Sequence, residues 1–133
     1  MKLAICIDNG GGMLLNHRRQ SRDRELVREL CDSLDGARLF SEAFSETVLA
    51  NVPHTVISRE AADTLGAGDI FFVECPPIAP LLPYAETLIV YRWNRDYPSD
   101  ETLDVSLSGL TRVSSTDFAG SSHEKITKEV YRV

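Results

Sequence analysis

The chain has 133 residues, 43% of them hydrophobic, and its 14 basic and 20 acidic side chains give a formal net charge of −6. This balance excludes collagen, coiled coils and wholly disordered chains. The acidic excess also argues against a general nucleic-acid binder. We expect one globular domain, residues 1–133, which is long enough to bury a single core without metals or disulfides.

The first element in chain order is a short apolar strand at residues 3–7, followed by a flexible glycine loop at residues 8–12. Because Asp8 ends the apolar run early, we expect neither a signal peptide nor a membrane span. The cysteines Cys6, Cys31 and Cys75 are odd in number and lack a CxxC pair, which is typical of buried thiols in a reducing compartment. A cytoplasmic location is therefore expected.

A helix is predicted to begin near Asp23, because Leu26, Leu30 and Leu34 then share one face. Ser21 or Asp23 can cap its start, and the glycine at position 36 suits its end. The remaining strand candidates are residues 37–40, 54–58, 70–73, 88–93, 102–105, 110–114 and 126–133, with short helical stretches at 44–49, 59–65 and 78–82.

The order of these elements predicts an α/β fold. Strands and helices alternate in the first half, which favours a parallel sheet, and the later run of strands favours an antiparallel edge. Residues 70–73 are wholly apolar, as in a strand covered on both faces. We therefore predict a three-layer α/β/α domain with a mostly parallel sheet and an antiparallel C-terminal edge.

An arginine-rich segment, residues 16–24, lies between the glycine run and the predicted helix. Ligands of open α/β sheets bind at the carboxyl ends of strands, where glycines permit close approach and arginines hold phosphate or carboxylate. The candidate ligand-binding residues here are Asn9, Gly11, Arg18, Arg19 and Arg22. The alternative is a solvated basic loop neutralised by nearby acids. The glycine run matches no Walker A or GxGxxG pattern.

Two acidic side chains are further candidates. Asp23 at the helix start is able to accept two hydrogen bonds from a ligand amidine or to move a proton, although an ordinary N-cap explains it equally well. Glu74 follows an apolar strand at its carboxyl end, either as a buried acid on the ligand side or as an exposed loop residue. Asp23→Asn is expected to weaken ligand binding with a modest effect on stability.

Two other polar segments receive no assigned role. Residues 92–98 mix cations with aromatic rings, and either stack a planar ligand or end a strand. Residues 121–125 place a serine beside His123, but neighbours in sequence seldom form a catalytic triad, so nucleophilic catalysis is not predicted. The three histidines, His17, His54 and His123, show no metal-binding spacing, and no metal site is expected.

Residues 81–88, Leu-Leu-Pro-Tyr-Ala-Glu-Thr-Leu, resemble a passage of dihydrofolate reductase, and Tyr-Pro-Ser-Asp at 97–100 is similar to the turn that follows it there. The opening strand with its loop and the start of the first helix at Asp23 also resemble that family. The resemblance implies a dihydrofolate reductase-like architecture. It also implies that Asp23 is the catalytic acid that holds the pteridine.

The chain departs from that family where the cofactor binds. Phe40-Ser41-Glu42-Ala43 stands where the family has phosphate contacts, and Val73-Glu74 stands where it has a glycine pair. Arg18 replaces a tryptophan, and the arginine that grips the folate tail is missing near Val52. Because an added anion at position 42 repels phosphate, we do not expect NADPH as a cofactor. The cofactor stays unassigned.

We therefore expect a divergent dihydrofolate reductase-like protein whose partner is a small heteroaromatic or nucleotide-like, anionic molecule, without ordinary NADPH-dependent folate reduction. Neither a membrane nor a nucleic acid is the expected partner. Two alternatives stay open. One is an active NAD(P)H-dependent reductase with rebuilt cofactor contacts, and the other is a protein- or nucleic-acid-interaction module that uses residues 18–24 and 92–95 as a basic surface.

Overall fold

The structure is a computed structural model that describes residues 1–133. The strands are β1 (Lys2–Ile7), β2 (Gly12–Leu15), β3 (Arg18–Arg19), β4 (Leu39–Ser41), β5 (Thr55–Val56), β6 (Ile70–Phe72), β7 (Thr87–Arg92), β8 (Glu101–Thr102), β9 (Thr111–Phe118) and β10 (Ile126–Arg132). One α-helix, α1, spans Arg24–Asp32, and 3-10 helices span Ala43–Ser45, Arg59–Thr64, Ala79–Tyr84 and Leu107–Gly109. None of these helices is long and apolar enough to cross a membrane.

Seven strands form the main sheet in the order β5-β4-β6-β1-β7-β10-β9. The pairs from β5 to β7 are parallel, whereas β10 runs antiparallel to both β7 and β9. The predicted α/β sheet with an antiparallel C-terminal edge is therefore confirmed. The central strand β1 is buried almost throughout because its near-continuous apolar run lies between two covered faces.

The two faces of the sheet are covered differently. On one face, Leu26 and Leu30 of α1 pack against β1 and β7 side chains such as Ala4 and Ile89. On the other face, 3-10 helices and loops contribute Ile78 and others to a second core cluster. Proline supplies no N–H and fixes φ, so the proline-rich stretch that begins at residue 76 contains only the 3-10 helix Ala79–Tyr84 and no α-helix. The predicted three layers thus contain only one α-helix.

A small second sheet, ordered β3-β2-β8, occupies the region predicted as a flexible glycine loop and an arginine-rich segment. Strands β2 and β3 form a hairpin whose two turn residues, Asn16 and His17, have φ of 51° and 60°. Positive φ at both positions is the geometry of tight two-residue hairpin turns. The hairpin brings Arg19 over the carboxyl end of the main sheet, where it contacts Glu74 just beyond β6.

Candidate functional site

The carboxyl edge of the main sheet is acidic. Three neighbouring strands of the sheet, β1, β4 and β6, are each followed by a carboxylate. Asp8 comes directly after β1, Glu42 directly after β4, and Glu74 two residues after β6. This edge is the usual ligand position of open α/β sheets. Each carboxylate is, however, already bound by groups of the protein itself.

Asp8 holds the glycine turn that follows β1. Its Oδ1 accepts hydrogen bonds from the N–H groups of Gly10 at 2.8 Å and Gly12 at 2.7 Å. Its Oδ2 accepts from Gln20 Nε2 at 2.9 Å and from the N–H of Tyr97 at 3.3 Å. The two backbone donors that a ligand anion would need are therefore occupied by an internal carboxylate.

Glu74 is buried and bound by Arg19 in a forked pair. Arg19 Nε and Nη2 each lie 3.0 Å from a Glu74 carboxylate oxygen, and the Ser45 hydroxyl donates to Oε1 at 2.7 Å. Arg19 Nη2 also donates to the Phe44 carbonyl at 2.7 Å. Because burying an unpaired charge is costly, Arg19 serves here to neutralise Glu74 and is not free to bind a ligand anion.

Glu42 stands at the end of β4, where the sequence predicts a charge that repels phosphate. Arg59 donates to both of its oxygens, at 3.0 and 2.8 Å, and to the carbonyls of Cys75 and Pro77. The hydrogen bond to Glu42 raises the pKa of the Arg59 guanidinium. Glu42 and Phe44 line an open groove of about 470 Å³ beside this pair. The added anion is thus compensated within the chain.

Asp23 is the N-cap of α1 and is buried. Its Oδ1 accepts from the N–H groups of Glu25 and Ser121, at 2.8 and 2.9 Å, and its Oδ2 accepts from the N–H of Ser122 at 2.8 Å and from His123 Nδ1 at 3.0 Å. Burial raises the pKa of Asp23, but the hydrogen bonds from Ser121, His123 and Ser122 outweigh it and hold that pKa well below its usual range. Both carboxylate oxygens are therefore occupied.

His123 fills the space in front of Asp23. Its ring stacks on the indole of Trp93, with centroids 4.5 Å apart and planes 21° from parallel. Its Nε2 lies 2.8 Å from the Tyr97 hydroxyl and 3.1 Å from Ser21 Oγ. The remaining cavity, lined in part by Ser21, Trp93 and Glu74, has a volume of about 10 Å³. That is roughly the space of a single water molecule, so the cleft is closed.

An open groove of about 460 Å³ adjoins this closed cavity. Its lining comprises Leu15, Asn16, Arg18, Arg19, Gln20, Tyr97 and Pro98. Arg18 is exposed and has no acidic partner within 4.0 Å. Gln20 donates through Nε2 to Asp8 and to the Pro98 carbonyl, which fixes the amide orientation, and its buried Oε1 receives no hydrogen bond. The groove therefore combines a free cation with a phenol ring.

The structure distributes the residues proposed from the sequence over three places. Arg19 and Glu74 contact each other, Arg18 lies in the open groove, and Asp23 lies in the His123 cluster. Asn9 and Gly11 lie on the turn after β1, and Arg22 is exposed. Sequence reasoning missed His123, which binds Asp23, and Gln20, which binds Asp8. It also missed the three residues that contact His123, namely Ser21, Trp93 and Tyr97. Only the proximity of Ser21 and Gln20 to the arginines offered a signal, since His123 is 100 positions from Asp23.

Comparison with known proteins yields a structural likeness. No protein-family model and no curated protein sequence matches the chain. Among solved structures, the chain is similar to a dihydrofolate reductase from Enterococcus faecalis complexed with NADP(H) and RAB-propyl, with a TM-score of 0.67 and 12% sequence identity over 99% of this chain and 95% of that chain. The chain therefore has a dihydrofolate reductase-like α/β fold.

Proposed function

We propose that this protein binds a small, anionic heteroaromatic molecule of nucleotide-like or pterin-like type in the groove between Arg18 and Tyr97. The observation that carries the proposal is the lining of that groove, where a free cation and an aromatic ring meet in one open groove of about 460 Å³. Small-molecule sites typically have volumes of 300–1,000 Å³, and the volume of this groove lies in that range.

Each lining group selects a feature of the ligand. Arg18 presents a guanidinium that suits a phosphate or carboxylate, because its forked donors match those groups. The Tyr97 ring offers a face to a planar heterocycle. An anionic nucleobase-like or pterin-like molecule has both features.

The closed cleft supports binding without ordinary folate reduction. Hydride transfer needs two reacting carbons held about 3–3.5 Å apart, which requires room for both rings. The cavity lined by Ser21, Glu74 and Trp93 has about 10 Å³, and His123 already occupies the Asp23 carboxylate. At the end of β4, Arg59 binds Glu42 with no cation left over for a dinucleotide phosphate. We infer a dihydrofolate reductase-like scaffold used for binding.

Titration calorimetry of the full chain with guanosine and adenosine monophosphates, dihydrofolate and NADPH tests the proposal. We expect at least one nucleotide or folate to bind, and Arg18→Ala to weaken it about tenfold, which corresponds to about 1.4 kcal/mol. Arg132→Ala is the matched control, since Arg132 is also exposed and lies outside the groove. That control is expected to leave the affinity unchanged.

Three results would overturn the proposal. Equal affinity in the parent protein and the Arg18→Ala variant removes the groove from the binding site. Binding of NADPH together with oxidation of NADPH by dihydrofolate, followed at 340 nm, establishes the reductase alternative. Binding of single-stranded nucleic acid alone, with strong dependence on salt, establishes the interaction-module alternative.

A further inference from the structure

Ser21, His123 and Asp23 form a continuous hydrogen-bonded chain. Ser21 Oγ lies 3.1 Å from His123 Nε2, and His123 Nδ1 lies 3.0 Å from Asp23 Oδ2. Asp23 and the His123 side chain are almost completely buried, whereas Ser21 is half-buried. A serine, an imidazole and a carboxylate in this order are the arrangement by which catalytic triads are recognised, whatever their order in the sequence.

The hydrogen bonds fix which ring nitrogen carries the proton. As a carboxylate, Asp23 accepts hydrogen bonds from four backbone N–H groups and from the Ser121 hydroxyl, so His123 Nδ1 is also a donor toward it. The lone pair of Nε2 then faces Ser21 Oγ and the Tyr97 hydroxyl. Stacking on Trp93 and the bonds to Asp23 hold the ring in this orientation. His123 is therefore positioned to accept the Ser21 proton.

Further features distinguish Ser21 from a hydroxyl that only supports the fold. It follows Gln20, which lines the open groove, and it is only half-buried, unlike Asp23 and His123. The backbone N–H groups of Ser21 and Arg22 donate no hydrogen bond within the chain. Ser121 is different, because its hydroxyl donates to Asp23 and accepts from the N–H of Arg24.

We propose that Ser21 is a nucleophile and that Ser21, His123 and Asp23 form a hydrolytic triad acting on small carboxylic esters. Ser21 Oγ attacks the ester carbonyl carbon while its proton passes to His123 Nε2. The carbon–oxygen bond to the alcohol breaks, and His123 returns the proton to the leaving alkoxide. Water then attacks the acyl-serine with His123 as base, which releases the carboxylic acid and restores the Ser21 hydroxyl. Water is the only co-reactant that this cycle consumes.

The first test uses diisopropyl fluorophosphate, which phosphorylates a nucleophilic serine as fluoride leaves. Peptide mapping of the labelled full chain by mass spectrometry is expected to place the diisopropylphosphoryl group on Ser21. Ser21→Ala is expected to abolish labelling. Ser108→Ala, which removes an exposed serine hydroxyl far along the chain, is expected to label like the parent protein. Labelling at another residue, or no labelling of the folded protein at millimolar reagent, would overturn the proposal.

The second test separates catalysis from structure. Hydrolysis of p-nitrophenyl acetate is expected to fall at least a hundredfold in Ser21→Ala, which is the usual size of a lost general-base-assisted step. Ser108→Ala again serves as the control, because Ser108 is exposed and lies outside the Ser21–His123–Asp23 cluster. We expect this variant to hydrolyse the ester at the rate of the parent protein. Equal rates in the parent protein and Ser21→Ala would refute the triad, whatever the outcome of the groove-binding experiment.

Discussion

Asp23→Asn is the substitution for which the structure and the sequence give different expectations. From the sequence, we expect a modest effect on stability. In the structure, the asparagine keeps Oδ1 toward the N–H groups of Glu25 and Ser121, but its Nδ2 replaces the oxygen that accepts from Ser122 and His123. The His123 ring adapts by changing tautomer, so that its Nδ1 accepts from the new amide. The Ser122 N–H can only donate, and it is left facing the Nδ2 donor of the asparagine without an acceptor.

The cost follows from these contacts. A buried N–H that loses its acceptor costs about 1–3 kcal/mol, and the surviving bonds lose the extra strength that a charged acceptor gives. We therefore expect Asp23→Asn to lower the free energy of unfolding by about 3 kcal/mol. For a chain of this length, that corresponds to a decrease in Tm of about 10 °C. A loss below about 1 kcal/mol would refute the inference that these hydrogen bonds hold the loop on α1.

Urea unfolding, monitored by circular dichroism from pH 3 to pH 8, measures this difference, with Asp63→Asn as a control at an exposed aspartate. Because the pKa of Asp23 is lower in the folded than in the unfolded chain, its stabilising contribution is complete above the ordinary aspartate pKa of about 3.9. It is lost as the pH falls through the lower folded pKa. The parent–variant difference should therefore be constant from pH 5 to 8 and shrink below pH 4.

Two further predictions concern the same region. Gly120→Ala places a Cβ atom 2.5 Å from Asp23 Oδ2 and is expected to lower the free energy of unfolding in urea by at least about 2 kcal/mol. In the control variant Gly109→Ala, the new Cβ atom meets nothing within 4 Å, and the loss should stay under about 1 kcal/mol. Similar losses in the two variants would contradict the packing around Asp23. Arg19→Met leaves the buried Glu74 carboxylate without its cation and is expected to lower the free energy of unfolding by about 3 kcal/mol. Adding Glu74→Gln is expected to recover most of this loss. A double-mutant cycle without coupling between the two positions would refute the ion pair.

Much of the main sheet could be predicted from local patterns. The apolar runs at β1, β6 and β7 and the period of α1 are short-range signals, and their order fixed a parallel sheet with an antiparallel edge. The β2–β3 hairpin was missed because its turn, Asn16-His17, lacks the glycine that usually marks a two-residue turn. Strand β9 was predicted too short because its side chains are mostly exposed and show no buried face.

The candidate site was less predictable for a physical reason. Residue type and spacing suggested that Arg19 and Asp23 face a ligand, but neither property shows which group of the chain satisfies them. Their partners, Glu74 and His123, are 55 and 100 positions away. Only folding brings them together, so the sequence shows the need for a partner and leaves its identity open.

The internal pairing of these charges bears on what the scaffold is able to do. Arg19 comes from the β2–β3 hairpin, Arg59 from a 3-10 helix and His123 from the loop before β10, so three separate segments each deliver one donor to the carboxyl edge of the sheet. Each contact stabilises the position of its segment. Removing one donor to reopen the cleft exposes a buried carboxylate and destabilises the segment that supplied the donor. The groove at Arg18 carries no such cost, because the Arg18 side chain is unpaired.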